Sequence, residues 1–185
     1  ITFLGIAGKI SEKDINEKTI KQSEIIFLEG YLWDKGEPKL AFDKAMAFAN
    51  TKAMSLSDQF CVERHKDNFR DLVENKLDII FANEQEVKSL INAKNFEEVI
   101  DFARQLKKLL IITRGANGSV AITADEIIEC QSEQSLKIID LTGAGDLFAA
   151  GFLHGHINNF SIKDSLLMGT KMSSKIIQKL GARLN

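Results

Sequence analysis

The sequence predicts an α/β fold with a mainly parallel central sheet and helices on its faces, and three observations carry that expectation. Short apolar runs start near residues 25, 53, 77 and 109, and a stretch with helical spacing follows each of the first three. The interval from one run to the next, about 25 to 30 residues, is the length of a strand, its crossover helix and the return to a parallel neighbour. The runs are apolar at consecutive rather than alternate residues, as expected of strands buried on both faces.

Taken in order, residues 1–7 read as a strand, and 11–22, polar apart from Ile15 and Ile20, as a loop or short surface helix. The run at 25–28 is a strand, ended by Glu29-Gly30. Pro38 suits the first turn of a helix over 39–50, with Leu40, Ala41, Ala45, Phe48 and Ala49 on one side. A strand at 53–56 ends at Ser57-Asp58. A helix over 62–75 follows, with Val62, Phe69, Leu72 and Val73 inward. Strand 77–82, helices 84–91 and 96–107, and strand 109–113 complete the alternation.

From Gly115 the pattern changes to short segments at 119–122, 127–130 and 136–139, which read as small antiparallel strands. A helix then runs from the Gly-Ala-Gly turn to about residue 157. Ser161 with Asp164 makes a capping-box-like start for a last helix, with Leu166, Leu167, Met172, Ile176, Ile177 and Leu180 apolar and Gly181 as its stop.

A chain of 185 residues, 44% hydrophobic and 27% charged, matches one ordinary globular domain. A net charge of -2 gives no electrostatic case for nucleic acid or a membrane surface as partner, and no apolar run approaches the roughly 20 residues that span a bilayer. Cys61 and Cys130 lie far apart without metal-ligand spacing, as in reduced residues of a cytoplasmic protein. The chain starts at Ile1, without methionine and inside an apolar run, so it reads as a fragment. His65, His154 and His156 lack the spacing of a metal site. Met46, Met54, Met168, Met172 and the phenylalanines are expected in the core, as is Trp33.

The stretch from Lys137 to His154 carries the chemistry. An apolar run breaks into Gly143-Ala144-Gly145-Asp146 and resumes with helical spacing, which reads as strand, tight turn and helix start. Small residues at 143–145 let the backbone approach a ligand, and the N–H groups of a starting helix suit an anionic oxygen such as a phosphate. Asp146 is placed to take a proton from an alcohol attacking that phosphate. The plainer alternative is a permissive turn with Asp146 as a helix cap.

These residues resemble the second signature of the PfkB, or ribokinase-like, carbohydrate kinase family, Asp-Thr-x-Gly-Ala-Gly-Asp. Asp140, Thr142, Gly143, Ala144, Gly145 and Asp146 match it, and Leu141 departs from it. Two further segments resemble that family in the same order. Asn83-Glu84-Gln85-Glu86, at the end of the third strand, matches its Asn-x-x-Glu motif; read alone, it is a helix cap with acidic residues in the first turn. Thr113-Arg114-Gly115-Ala116-Asn117-Gly118 is similar to its Thr-x-Gly-x-x-Gly segment, and a plain glycine turn explains it nearly as well.

The resemblance implies a three-layer α/β/α ribokinase-like fold, of which residues 1–185 would be the ATP-side portion of a single domain, the acceptor and lid part preceding Ile1. It implies an ATP-dependent phosphotransferase in which Asp146 is the base, Gly143, Ala144 and Gly145 donate N–H groups to the transferring phosphoryl, and Thr113, Gly115, Gly118 and Thr142 bind the nucleotide. Asn83 and Glu86 would organise Mg2+ through water, and a K+ ion near Asp140 and Thr142 is left open. Glu29-Gly-Tyr-Leu-Trp-Asp and Leu56-Ser-Asp-Gln-Phe-Cys-Val resemble a bacterial branch often labelled adenosine or sugar kinase. The expected acceptor is therefore the hydroxymethyl of a nucleoside, adenosine first, or of a sugar as the alternative; a non-catalytic nucleotide-binding protein is the rival of another class. A homodimer is left open.

Overall fold

The computed structural model describes residues 5–33 and 38–184. Two compact units divide the chain, residues 1–110 and 111–185. The sheet is mostly parallel, with six strands in the order β1-β2-β3-β4-β5-β6, so the expected α/β class holds.

In the first unit, β1 (Ile25–Glu29), β2 (Thr51–Ser55) and β3 (Ile79–Asn83) are parallel, with Ile25 opposite Thr51 and Ala53 opposite Ile79. Ile79, Ile80, Phe81 and Ala82 are all buried, as the unbroken apolar run requires. A short helix α1 (Glu17–Gln22), capped by the Asn16 side chain, precedes β1. Helix α2 (Pro38–Phe48) follows it with proline at its first position, where the missing N–H costs nothing. Ala41, Phe42, Ala45 and Met46 bury one face of α2, and Trp33 packs edge-on against Phe42 and Phe69, at ring-centroid distances of 5.0 and 6.1 Å.

The single helix expected over 62–75 is instead broken. Helix α3 (Gln59–Arg64), capped by Asp58, stops at His65, whose φ of -119° and ψ of 26° leave helical geometry. Helix α4 (Lys66–Asp71) then runs into a wider π turn (Leu72–Lys76), closed by the Leu77 N–H donating to the Leu72 carbonyl at 2.9 Å. The extra residue of that turn brings both Leu72 and Val73 into the core. Helices α5 (Glu84–Ile91) and α6 (Phe96–Leu106) follow β3 as the periodicity predicts. Left-handed Asn92 and Lys107 end them.

Strand β4 (Leu109–Thr113) leads to a Gly115–Asn117 turn and, in the second unit, to an antiparallel pair, β5 (Ser119–Ile122) and β6 (Ile127–Cys130). Helices α7 (Ala144–Ile157) and α8 (Ile162–Ile176) close this unit, burying Phe148, Phe152, Leu166 and Ile176.

Several expectations are corrected. Residues 5–7 of the expected first strand belong to a 3-10 turn (Gly5–Lys9), and residues 1–4 lie outside the described residues. The segment 136–139 is no strand: the Ile139 and Asp140 N–H groups donate to the Ile177 carbonyl at the end of α8, so no strand ladder is available to them. The last helix stops at Ile176, five residues before Gly181, and Leu180 is 85% exposed. Not every phenylalanine is core either, since Phe60, in the first turn of α3, is 70% exposed. Met168 and Met172 are only half-buried. Cys61 and Cys130 are buried and form no disulfide.

Candidate active site

Two helix starts carry the residues singled out by the sequence, one in each unit. In the second unit, the loop before α7 is held in shape by Asp140. Its Oδ1 accepts from the Thr142 N–H at 2.9 Å and the Thr142 hydroxyl at 2.7 Å, and its Oδ2 accepts from the Gly181 N–H at 2.8 Å. The backbone donors of Thr142 and Gly181, with the Thr142 hydroxyl, hold the Asp140 carboxyl below the usual carboxylate range. Thr142 is thereby tied into the loop and exposed.

Gly143 occupies the cap position of α7 with φ 80° and ψ 4°, a left-handed conformation that other residues rarely adopt. A Cβ there would also stand 2.9 Å from that of Ala182. With no side chain at the cap, α7 starts without a side-chain hydrogen bond. Ala144 donates to the Leu141 carbonyl at 3.1 Å, and Leu147 donates to Gly143 at 2.9 Å. Among the described residues the N–H groups of Gly143, Gly145 and Asp146 take no acceptor. In this conformation, then, the expected donor trio is open at 143 and 145, with 146 in place of 144. Asp146 lies in the first turn, exposed, and no hydrogen bond or ion pair engages its carboxylate among the described residues.

A cavity of about 520 Å³ lies in the same unit. Thr113, Gly115 and Gly118, from β4 and the turn after it, share its wall with Ala144 and Gly145. Leu136, Ile138, Leu141, Phe148 and Ile177 supply its apolar surface. The cavity therefore gathers five of the positions that match the two sequence motifs, while Gly143, Thr142 and Asp146 stay outside its lining. Gly118 is demanded by the backbone itself: its φ is 82°, and a Cβ would fall 2.1 Å from the Cys130 carbonyl oxygen.

The other helix start, in the first unit, is closed. Asn83 caps α5 in a full capping box: its Oδ1 accepts from the Glu86 N–H at 2.9 Å, and Glu86 Oε2 accepts from the Asn83 N–H at 2.8 Å. Asn83 Nδ2 also donates to Glu86 Oε1 at 2.6 Å. Asn83 is exposed, whereas Glu86 is 4% exposed. Burial pushes the Glu86 carboxyl up to about 7, with the nearby Asp58 charge adding to it and the Asn83 N–H opposing it. Glu84 is half-buried in an ion pair with Lys88 at 2.6 Å.

The sequence did not single out Ser119, Leu136, Ile138, Phe148, Thr170 or Ile177, all of which line the cavity. Ile138 carried a signal that pointed elsewhere. Its apolar run read as a strand, yet Ile138 is 63% and Leu141 64% exposed, forming a wall rather than a core.

Comparison with known proteins settles the family. The profile for pfkB family carbohydrate kinases matches residues 1–185. The chain belongs to this family. A nucleoside kinase of Methanocaldococcus jannaschii is 30% identical over 151 residues, covering 81% of this chain and 49% of that protein. A ribokinase of Lactococcus lactis is 30% identical over 171 residues, covering 92% and 52%. The crystal structure of an adenosine kinase from Sinorhizobium meliloti superposes with a TM-score of 0.92 at 32% identity, over 96% of this chain and 56% of that one. The chain thus has the fold of ribokinase-like kinases and spans about half the length of the curated relatives it matches.

Proposed function

We propose that the full-length protein transfers the γ-phosphoryl of ATP to a hydroxymethyl group of a nucleoside, adenosine first, and that residues 1–185 are the ATP-side portion of one kinase domain. The observation that carries this reading is the start of α7. N–H groups without acceptors at 143, 145 and 146 present partial positive charge to an anion, Ala144 and Gly145 reach the wall of the cavity, and an unengaged carboxylate follows in the first turn. In this reading the cavity holds the nucleotide, with Thr113, Gly115 and Gly118 along it and Thr142 holding the loop. The open N–H groups stabilise charge on the transferring phosphoryl, and Asp146 takes the proton from the acceptor hydroxyl.

Family membership implies use of ATP with Mg2+. Among the described residues no group of three or more His, Cys, Asp or Glu side chains could hold a metal ion. Glu86 already accepts two hydrogen bonds from Asn83, which fits a hydrated Mg2+ held through its waters better than a directly ligated ion. When bound, the ion offsets charge on the ATP phosphates. A K+ ion near Asp140 and Thr142 would share the Asp140 carboxylate with three donors already on it.

A nucleoside acceptor is favoured by the similarity to the adenosine kinase and the nucleoside kinase; similarity to the ribokinase supports a sugar acceptor as the second reading. Steady-state phosphoryl transfer by the full-length protein, with adenosine, cytidine, ribose and fructose at matched concentrations, distinguishes them. Highest kcat/KM on adenosine is expected; preference for a sugar establishes the second reading, and ATP binding without transfer to any acceptor overturns both.

A further inference from the structure

Gly181 reads from the sequence as the stop of the last helix, yet α8 ends at Ile176 and its cap, Ile177, is right-handed. Gly181 is nevertheless left-handed, with φ 84°, and a Cβ built on it meets nothing within 4 Å. Glycine therefore suits this position by its backbone conformation and not by lack of space. What the conformation serves is visible on either side of it. The Gly181 N–H donates to Asp140 Oδ2 at 2.8 Å, and the next residue, Ala182, lies against Gly143, where an added Cβ would stand 2.9 Å from that of Ala182.

The same segment holds the loop before α7 at a further point. The Ile177 carbonyl accepts from the N–H groups of Ile139 and Asp140 at 2.8 and 3.2 Å. Residues 139–142 belong to no strand or helix, so these contacts take the place of a ladder in fixing their course. Asp140 is the link between segment and loop. Its Oδ1 accepts from the N–H and hydroxyl of Thr142, next to the cap of α7, while its Oδ2 accepts from Gly181. With the two oxygens engaged on different sides, a shift of Gly181 is carried to Thr142 and on to the open N–H groups at 143, 145 and 146. Hydrogen bonds to an ionised acceptor are the stronger kind, which suits Asp140 to transmit position.

We infer that residues 177–182 form a positioning strap for phosphoryl transfer, in which Gly181, acting through Asp140, holds the start of α7 where its open N–H groups meet the transferring phosphoryl. The inference rests on the function proposed above for those N–H groups. It gives Gly181, which lies outside the three sequence motifs, a positioning and not a catalytic role, since Gly181 reaches the reacting atoms only through the loop. A misplacement of about 1 Å can cost roughly 100-fold in rate, so the effect of the strap falls on kcat.

The test uses the full-length protein with substitutions at both ends of the link. Gly181→Pro removes the N–H and the left-handed φ together. Gly181→Asn keeps the N–H, and Asn adopts the left-handed region more readily than most residues. Asp140→Asn leaves one oxygen for Thr142 but turns an amide, which cannot accept, toward Gly181. The readout is kcat at saturating ATP and acceptor, taken well below the melting temperature of each variant, so that a loss of stability alone does not register. The expected result is a kcat about 10- to 100-fold lower in Gly181→Pro and in Asp140→Asn. Gly181→Asn should keep most of the activity, within about threefold of the parent. The double variant Gly181→Pro with Asp140→Asn should lose no more than about threefold beyond the worse single variant, as residues acting in one unit do. A parent-like kcat in Gly181→Pro overturns the inference, whatever its melting temperature. So does a Gly181→Asn variant as damaged as Gly181→Pro, and so do losses that multiply in the double variant, because Gly181 would then act independently of Asp140. Absence of phosphoryl transfer by the unsubstituted protein overturns instead the proposed function on which the inference rests.

Discussion

The two helix starts make opposite use of the same backbone chemistry. At the start of α5, Asn83 and Glu86 satisfy each other through three hydrogen bonds, and the acid is buried. At the start of α7, a glycine in a left-handed conformation supplies no cap, three N–H groups stay open, and the acid is exposed. A helix needs its first N–H groups satisfied by something. Where the chain supplies the partner, as at α5, local stability is gained; where it withholds one, as at α7, stability is forgone and a ligand can complete the helix. Under the proposed function, the contrast gives α5 a supporting role and α7 the reacting one.

The largest expected effect tests that assignment at Asp146. Asn keeps the size of Asp and caps helices about as well, yet it cannot take a proton near neutral pH. Asp146→Asn in the full-length protein should therefore lower kcat by roughly 10² to 10⁴ while ATP affinity and melting temperature stay near those of the parent. Turnover within a few-fold of normal would reduce Asp146 to a helix-start residue like any other, and the contrast with α5 would lose its catalytic meaning.

The next effect sits at the closed start. Glu86 has a folded-state pKa of about 7 against an ordinary 4.5, so between those pH values the folded protein keeps a proton that the unfolded chain releases. Stability from this group is therefore greatest below pH 4.5, falls as pH rises to 7, and is lost in full above it. At about 1.4 kcal/mol per unit, a shift from about 4.5 to about 7 amounts to on the order of 3 kcal/mol. Glu86→Gln removes that dependence. Denaturant unfolding at pH 5 and pH 8, in the presence of a chelator, should show the variant losing less stability with rising pH than the parent; equal slopes would mean that Glu86 ionises freely in the fold. If Glu86 supports Mg2+, the same variant should need more Mg2+ for half-maximal turnover while its acceptor KM stays fixed.

Much of this was legible in the sequence, for reasons that differ by region. The strands β1 to β4 were found because a strand buried on both faces must be apolar at successive residues, and the intervals between them admit only a crossover. The capping pair Asn83 and Glu86 was legible because capping is local. What escaped depends on contacts distant in sequence. Nothing local in residues 136–139 shows that their N–H groups will find the Ile177 carbonyl, and a run such as Ile138-Ile139 looks like a strand until its partner is known. The break at His65 and the π turn after Asp71 escaped similarly, because the apolar spacing of residues 62–73 fits one continuous helix.

Two glycine substitutions sharpen the comparison further, because both fall in the open start and only one is demanded by the fold. Gly143→Ala would place a methyl 2.9 Å from the Ala182 Cβ in a left-handed residue with φ 80°. Left-handed strain of about 1 kcal/mol, with the close contact added, should destabilise the protein by about 1 to 3 kcal/mol in denaturant unfolding. A loss below about 0.5 kcal/mol would show that the loop relaxes at little cost and that its shape does not need this glycine.

Gly145→Ala should shift stability least. Nothing lies within 4 Å of a Cβ built at Gly145, its φ is not in the left-handed region, and it falls within α7, where Ala is the better helix former. The nucleotide-free protein should therefore keep or gain up to about 1 kcal/mol of stability. The fold gives no reason for glycine here, so any reason must come from what approaches the N–H groups at 143, 145 and 146. If a phosphate packs against this backbone, the added methyl takes part of its space, and nucleotide affinity should fall by about 1 kcal/mol or more, roughly fivefold, in the same protein whose melting temperature is unchanged or raised. Calorimetric titration with ATP beside thermal unfolding separates the two readouts. Full ATP affinity in a stable Gly145→Ala protein would mean that the open space beside residue 145 is not used by the ligand, and the anion would have to be held elsewhere along α7.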